Sequence, residues 1–412
     1  MQFFKDLSLS ALTAGFVAVL VGFTSSVAIV FQAALAFNAT PELIASWMWA
    51  LGIGMGLCSM IPSLWLKKPV MVAWSTPGAA VLATAGAAGG AAGFTMNEAV
   101  GAFMVCAVLI VLCGVTGWFE RVMNRIPMAI ASALLAGVLA RFGLQGFTAA
   151  QTALPLVLVM LLAYLCGRRW VPRYAVPITL VIAILFVATT QGMTWEKISF
   201  DPVIPIFTAP HFTWSAIIGL ALPLFVVTMA SQNLPGVAAM QASGYVGAGS
   251  AGAGDAGAGR GNGIPVSKII TLTGLATLVL APFGAFALNL SAITAAICMG
   301  KEAHPDPAKR YTAAVTCGAI YVLIGTFGAA ITGVLTSFPK ELVAAIAGLA
   351  LLGTIGGALA TAVKDESHRE AALITFLVTL SGVVIAGVGS AFWGVVAGAL
   401  SLFLQQFGRA RA

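Results

Sequence analysis

The sequence predicts an all-α polytopic membrane protein with fourteen transmembrane segments, arranged as two inverted repeats of seven. Three observations predict this fold class. The 412 residues are 60% hydrophobic and only 8% charged, whereas soluble domains carry roughly 25% charged residues. Apolar stretches of about 20 residues, the length that crosses a bilayer as a helix, recur along the whole chain. Basic residues are concentrated in every second connecting loop. A soluble enzyme is therefore excluded.

Twelve of the predicted segments are uninterrupted apolar stretches. Each has the length that a helix needs to cross a hydrocarbon core of roughly 30 Å. We number them in chain order as segments 1, 2, 4 to 9 and 11 to 14. They cover residues 10–35, 43–65, 97–118, 127–144, 151–167, 174–190, 213–234, 264–283, 309–334, 341–363, 370–387 and 390–406.

Segments 3 and 10 are apolar but broken. They cover residues 69–88 and 284–300, and each is predicted to be a short extended piece that leads into a half-helix. Each is the third in a set of seven, and the two lie about 215 residues apart. Because seven crossings turn the second half upside down, this placement indicates inverted repeats. The repeats join in the polar loop near residues 191–212.

The distribution of positive charge supports the count of fourteen. With the N-terminus in the cytoplasm, 17 of the 20 Lys and Arg residues lie on the cytoplasmic side. Only Arg141, Lys197 and Lys340 lie on the other side. Omitting either broken segment would reverse every later loop and remove this bias. The sequence therefore predicts that both termini are cytoplasmic.

Residues for catalysis or metal binding are not apparent. None of the 13 Asp and Glu residues lies well inside a segment, although such carboxylates are the usual proton relays of transporters. A formal G-x-G-x-x-G motif begins at Gly247, but it lies in a run of small residues with no strand before it, which is typical of a flexible linker. We therefore predict no enzyme activity, no metal and no cofactor. The net charge of +7 reflects topology and not nucleic-acid binding.

The break in segment 3 has the chemistry of a helix start. Ser75 or Thr76 can cap a helix, Pro77 suits the first helical turn, and Gly78 allows close approach. A half-helix that begins in mid-membrane directs free N–H groups and the positive end of its dipole at whatever lies in front. Two such starts would bind an anion without Arg or Lys. The alternative is that both broken helices only serve packing.

Other polar and aromatic side chains lie at a similar depth. Gln232 and Asn233 are adjacent amides that need partners, and Pro235 frees a backbone carbonyl nearby. A single Ser or Thr in a membrane helix more often bonds to its own preceding turn. Aromatic residues could surround an apolar ligand body. The predicted substrate-binding residues are Ser75, Thr76, Gly78, Gln232, Asn233, Asn289, Ser291, Thr24, Ser25, Trp74 and Phe286.

Two motifs carry a family resemblance. The run KPVMVAWSTPGAA from Lys68 to Ala80, together with ASQNLPG from Ala230 to Gly236, resembles the benzoate:proton symporter family, BenE. That family is similar in fold to uracil permeases and sulfate transporters. The resemblance implies a core domain in residues 1–118 and 213–334 (segments 1–4 and 8–11). It also implies a gate domain in residues 119–190 and 335–412 (segments 5–7 and 12–14).

The resemblance further implies that substrate binds between segments 3 and 10, beside segment 8. Uracil permeases carry acidic residues in segments 8 and 10, where this chain has amides and hydroxyls. That difference fits an anionic substrate and leaves the proton path open. We therefore expect a secondary transporter of the bacterial inner membrane that imports benzoate or a related aromatic carboxylate with a proton, by alternating access. An anion channel or uniporter is the alternative. The expected partners are the substrate, protons and the lipid bilayer, and the protein could be a monomer or a homodimer.

Overall fold

The predicted helical fold class is confirmed. A computed structural model describes residues 2–24, 26–87, 94–123, 127–190, 202–246, 263–328, 338–383, 385 and 390–409. In this part of the chain, a helix coincides with each of the twelve uninterrupted segments, and both broken segments consist of a strand followed by a half-helix. Most of the Gly-rich run that contains the formal nucleotide motif, residues 247–262, lies outside the described residues.

The helices of the first repeat begin with Gln2–Asp6. Segments 1 to 7 then comprise Leu9–Thr24 with Val27–Ala36, Pro41–Leu66, β1 (Val72–Trp74) with Thr76–Ala87, Met96–Thr116, Met128–Thr148, Ala150–Trp170 and Ala175–Thr190. A short helix, Trp118–Met123, follows segment 4.

In the second repeat, segments 8 to 14 comprise Trp214–Ala242, Val266–Leu280, β2 (Leu288–Leu290) with Ile293–Met299, Tyr311–Thr326, Lys340–Ala362, Arg369–Ser381 and Ser390–Arg409. We call Thr76–Ala87 half-helix 3 and Ile293–Met299 half-helix 10.

Segment 1 differs from its prediction as one uninterrupted helix. It is divided near Ser26, whose φ of −138° is not helical. The Ser26 hydroxyl donates to the carbonyl of Gly22 (2.8 Å). A serine that bonds back to the preceding turn competes with regular helix geometry, which accounts for a break at this point.

Six described helices are long and apolar enough to cross a membrane on their own. They are Pro41–Leu66, Met96–Thr116, Met128–Thr148, Ala150–Trp170, Trp214–Ala242 and Val266–Phe283, the last including a short 3₁₀ turn. A seventh candidate is the bent pair Lys340–Gly353 and Ile355–Ala362, which turns by 42°. The molecule is thus polytopic, and the count of fourteen crossings stays a prediction.

The two broken segments meet each other. β1 pairs with β2 in antiparallel register, with Val72 opposite Leu290, Ala73 opposite Asn289 and Trp74 opposite Leu288. The pairing extends beyond the strands, because the Ser75 N–H donates to the carbonyl of Ala287 (3.1 Å) and the Ser291 N–H to that of Met71 (3.0 Å). Both half-helices therefore begin at one place inside the protein.

The contacts between segments follow the repeat. Where two segments are in contact, the two equivalent segments of the other repeat, numbered seven higher or seven lower, are in contact as well. Segments 2 and 11 pack together, as do 9 and 4; segment 10 packs on 1, as 3 does on 8; and segment 6 packs on 7, as 13 does on 14. Segments 1–4 and 8–11 form one group of contacting helices, and segments 5–7 and 12–14 form another. The groups meet mainly through segments 1, 8 and 10 of the first group.

The connection between the repeats runs along one end of the first group. The N–H of Val203 donates to the carbonyl of Thr326 (2.9 Å), that of Thr208 to Pro282 (2.7 Å), and that of His211 to Asn97 (2.9 Å). The N–H of Ile206 donates to the hydroxyl of Ser46 (2.9 Å). This segment consequently ties together the ends of segments 2, 4, 9 and 11, which hold the paired strands between them.

Candidate functional site

Of the two candidate capping residues, Ser75 and not Thr76 caps half-helix 3. The Ser75 hydroxyl accepts a hydrogen bond from the Gly78 N–H (3.1 Å), the usual contact of an N-cap side chain. It accepts a second hydrogen bond from the Thr228 hydroxyl of segment 8 (2.9 Å). Ser75 is fully buried. Its oxygen is therefore occupied by the protein on both accepting sides.

Half-helix 10 begins in the same way. The Ser291 hydroxyl accepts from the Thr294 N–H (3.3 Å), as Ser75 does from Gly78. The outer N–H groups of the strands are also satisfied alike, because Val72 donates to the Ser59 hydroxyl and Leu288 to the Thr277 hydroxyl, both at 3.0 Å. These buried N–H groups need partners, and hydroxyls from segments 2 and 9 supply them.

Segment 8 widens into a π-helical turn at Met229–Asn233, where the Leu234 N–H donates to the carbonyl of Met229, five residues earlier. Single π-helical turns of this kind occur often at functional sites. Pro235 has no N–H to donate to the preceding turn, so a widened turn is favoured here. This turn contains both predicted amides and contacts β2.

The two amides of the turn have different environments. Asn233 is fully buried; its Oδ1 accepts from the Leu290 N–H (2.9 Å) and its Nδ2 lies 3.1 Å from Met229 Sδ. Asn233 thus braces the edge of β2. Gln232 is only partly buried, and no described residue bonds to its amide. Of the adjacent pair, Gln232 has the amide available to a ligand.

Thr76 is the second polar side chain of this kind. It is the first residue of half-helix 3, is partly exposed, and makes no side-chain hydrogen bond with the described residues. Half-helix 3 packs against segment 8 just before the π-helical turn. Three features therefore lie in one region: the N-terminus of the twelve-residue half-helix 3, the Thr76 hydroxyl and segment 8, which carries the Gln232 amide.

Gly78 lies where this contact is tightest. A Cβ atom at Gly78 would lie 2.6 Å from Leu224 Cδ1 of segment 8 and 2.8 Å from the Ser75 Oγ. Both distances are shorter than van der Waals contact allows. Half-helix 3 therefore lies close to the Leu224 side chain of segment 8 at Gly78. Close approach of a ligand to Gly78 stays a prediction.

Asn289 lies at the centre of the strand pair, opposite Ala73. Its Nδ2 donates to the carbonyl of Ala287 (3.1 Å), while its Oδ1 is buried and has no partner among the described residues. An orphaned buried acceptor costs about 1–3 kcal/mol unless something donates to it. Asn289 is thus an acceptor at the centre of the site.

The predicted aromatic residues are packed inside the protein. The Trp74 Nε1–H donates to the Ser26 hydroxyl (2.9 Å), and its ring lies 5.7 Å from that of Phe23. Phe286 is fully buried between the rings of Trp47 (5.8 Å) and Phe103 (6.0 Å). Both side chains are therefore held by contacts within the protein. Thr24 ends the first helix of segment 1, and its side chain and Ser25 lie outside the described residues.

Several site residues were not predicted from the sequence. Ser26, Ser59, Thr228 and Thr277 supply the hydroxyls that hold Trp74, β1, the start of half-helix 3 and β2. One signal could have revealed Thr228: it lies four residues before Gln232, a spacing that places two side chains on one face of a regular α-helix. Among the described residues, no group of three His, Cys, Asp or Glu could hold a metal ion. Backbone dipoles, hydroxyls and amides therefore supply the site's polarity.

Comparison with known proteins places these features in a family. The family model described as "Benzoate membrane transport protein", BenE, matches residues 5–404. The chain is 47% identical over 387 residues to the inner membrane protein YdcO of Escherichia coli, covering 94% of this chain and 93% of that protein. It is 39% identical over 400 residues to the benzoate membrane transport protein of Acinetobacter baylyi, covering 97% and 96%.

Solved structures show more distant similarity. The transmembrane domain of a cyanobacterial bicarbonate transporter, BicA, aligns over 96% of this chain and 98% of that one, with 14% identity and a TM-score of 0.47. SLC26A9 aligns over 98% of this chain and 66% of its own, with 11% identity and a TM-score of 0.49.

Proposed function

Because this chain belongs to the benzoate membrane transport protein family, BenE, we propose that it imports benzoate or a related aromatic carboxylate together with a proton. The chain is a multi-pass membrane transport protein and not an enzyme. One relative is named an inner membrane protein, which supports the same location here. The distribution of Lys and Arg supports an orientation with both termini in the cytoplasm. The proton coupling and the direction of transport are the parts that need experiment.

One observation carries the assignment of the substrate site. Thr76 and Gln232 are partly exposed polar side chains without a described protein partner, and they belong to neighbouring elements at the start of half-helix 3. The substrate carboxylate accepts hydrogen bonds here from the Thr76 hydroxyl, the Thr76 N–H and the Gln232 amide. Pro77 has no N–H, and the Gly78 N–H is bonded to the Ser75 hydroxyl. The apolar ring lies against the small and aliphatic residues around them. No basic residue is needed for such a site.

The helix packing supports a transport cycle in which two domains move against each other. Segments 1–4 and 8–11 act as the core domain, and segments 5–7 and 12–14 act as the gate domain. The grouping of contacts supports this division, and so do the paired contacts that two inverted repeats would produce. Since the site lies where segments 3, 8 and 10 come together, movement of the core against the gate would expose it to each side in turn.

Concentrative uptake tests this function against the channel or uniporter alternative. Purified protein in liposomes, with an inward pH gradient, should accumulate radiolabelled benzoate above its external concentration. A channel or uniporter would only equilibrate benzoate with its own electrochemical gradient. Failure to accumulate benzoate above that equilibrium would reject the symporter.

The Gln232→Leu variant tests the site. We expect it to weaken benzoate binding by about 1.5 kcal/mol, roughly tenfold, because an anion loses one amide donor. The Gln151→Leu variant is a matched control, since Gln151 lies exposed at the start of segment 6. Equal affinity in the two variants would place the carboxylate elsewhere.

A further inference from the structure

A single long-range ion pair joins the two groups of helices in the described residues. Arg168 Nη1, at the end of segment 6, lies 2.9 Å from Glu302 Oε1, in the turn after half-helix 10. The other two ion pairs join residues three apart in one connection, Asp365 with His368 and Glu366 with Arg369. Only the Arg168 pair therefore depends on how segment 6 stands relative to half-helix 10.

The Glu302 carboxylate is seated against a bend in segment 12. A Cβ atom at Gly353 would lie 2.9 Å from Oε1, and one at Gly300 would lie 3.2 Å from Oε2. Gly353 is the last residue before segment 12 turns by 42°. The Glu302 side chain is 17% exposed and that of Arg168 is 45% exposed. Two segments of the gate group, 6 and 12, thus enclose one carboxylate of the core group.

A second arginine, which belongs to the core group, binds the turn that contains Glu302. Arg310, which is buried, donates from Nη1 to the carbonyl of Met299 (2.7 Å) and from Nε to that of His304 (2.8 Å). Met299 is the last residue of half-helix 10, so this guanidinium also neutralises the negative end of its dipole. These bonds remain inside the core group. When the core moves against the gate, they travel with the turn, whereas the Arg168 bond must break.

We propose that Arg168 and Glu302 are positioning residues whose ion pair holds the core and gate domains together at the cytoplasmic side. This inference rests on the function, the domain division and the orientation proposed above. In the conformation described, the pair keeps the C-terminal turn of half-helix 10 against segments 6 and 12 and so closes the cytoplasmic path to the site. Breaking it shifts the population toward the inward-open state. A shift of this kind raises the apparent affinity for benzoate at the cytoplasmic face and lowers it at the outer face.

Benzoate affinity measured separately from each face tests the proposal. The probe is radiolabelled benzoate with right-side-out and inside-out vesicles that contain the full chain. Glu302→Gln and Arg168→Gln should each improve apparent affinity from the cytoplasmic face and weaken it from the outer face, each by about two- to fivefold, since a partly exposed pair has modest strength. Arg168→Lys keeps the charge and should stay within about twofold of wild type. The ratio of the two affinities does not depend on how much protein is inserted.

Two further variants separate a pair from two independent side chains. The double variant Arg168→Gln/Glu302→Gln should change the ratio no more than either single variant, because one interaction is lost in all three. Glu366→Gln is the matched control: it removes an exposed carboxylate from a local ion pair and should leave the ratio unchanged.

The outcomes that overturn the proposal are distinct. Equal losses at both faces, an unchanged ratio, or additive effects of the two single variants would each reject the ion pair as the cytoplasmic contact. Absence of benzoate transport by the wild type would overturn the proposed function and this inference together. Transport by the wild type with an unchanged ratio in the variants would overturn this inference alone.

Discussion

The two halves of the site have matching backbones and different side chains. In both, a three-residue strand pairs with its counterpart, a serine caps the half-helix, and a hydroxyl satisfies the outer strand N–H. Half-helix 3, however, begins with the partly exposed Thr76 and Pro77, whereas at the equivalent start of half-helix 10 Ala292 is buried and only Ile293 is partly exposed.

The difference teaches that repeat symmetry supplies the geometry and that local side chains supply the chemistry. Half-helix 10 has only seven residues, and Ala292, at the position equivalent to Thr76, has no polar group. Half-helix 3 has twelve residues, and its cap receives a hydrogen bond from segment 8, which also carries Gln232. We therefore propose a one-sided site, in which half-helix 3 and segment 8 bind the carboxylate and the rest of the second repeat holds β2 in place.

The largest effect is expected where half-helix 3 touches segment 8. Gly78→Leu places a side chain where even a Cβ would lie 2.6 Å from Leu224, so the half-helix must move away and transport should be lost. Gly357→Leu is the control, because no atom lies within 4 Å of a Cβ there. Uptake assays on equal amounts of inserted protein measure both. Wild-type uptake by the Gly78 variant would show that the close approach is unnecessary.

The next effect distinguishes the brace from the ligand-binding amide. Asn233→Leu leaves the Leu290 N–H buried without its acceptor, so we expect the free energy of unfolding to fall by about 1–3 kcal/mol. Gln232→Leu should change the thermal midpoint much less, because no described residue depends on its amide. Thermal unfolding in detergent compares the two variants. Equal midpoints would mean that β2 does not need Asn233.

Asn233 also shows how far prediction from sequence could go. Segment lengths and the placement of the breaks indicated the helices and the equivalence of segments 3 and 10, because bilayer thickness and inverted repeats constrain both. The proximity of these two segments was implied by the family resemblance. The direction of a side chain around a helix is not constrained in this way once a π-helical turn changes the register. Adjacent amides therefore looked equivalent, although Asn233 faces β2 and Gln232 does not.

The same reason explains the aromatic residues. Trp74 and Phe286 lie at the depth of the site, so the sequence suggested that they could surround a ligand. Their partners, Ser26 and Phe23 for Trp74 and Trp47 with Phe103 for Phe286, come from segments that only the folded chain brings near. Whether either ring contacts the substrate in another state of the cycle stays a prediction.

A smaller effect is expected from the hydroxyl of Thr76. Thr76→Val keeps the shape of the side chain and removes one donor, so benzoate binding should weaken by about 1 kcal/mol, or roughly fivefold. Thr189→Val is the matched control, since its exposed hydroxyl bonds only to its own helix. Equilibrium binding of radiolabelled benzoate measures both variants. If Thr76→Val bound benzoate as tightly as the control variant, the Thr76 hydroxyl would not be part of the substrate site.

The smallest effect is expected from the membrane potential. Neither half of the site has an ionisable side chain among its named residues, so the cargo itself determines the charge that crosses. A carboxyl group has a pKa of roughly 4 in water, and a site of low dielectric disfavours its charged form. We therefore expect one benzoate to cross with one proton, carried either on the carboxyl group or on a group at a helix end. A benzoate anion together with one proton carries no net charge.

An inward pH gradient should therefore stimulate uptake strongly, while a membrane potential imposed with potassium and valinomycin at symmetric pH should change uptake by less than about twofold. Robust benzoate-dependent currents at symmetric pH would contradict this stoichiometry and favour a channel or additional coupling ions.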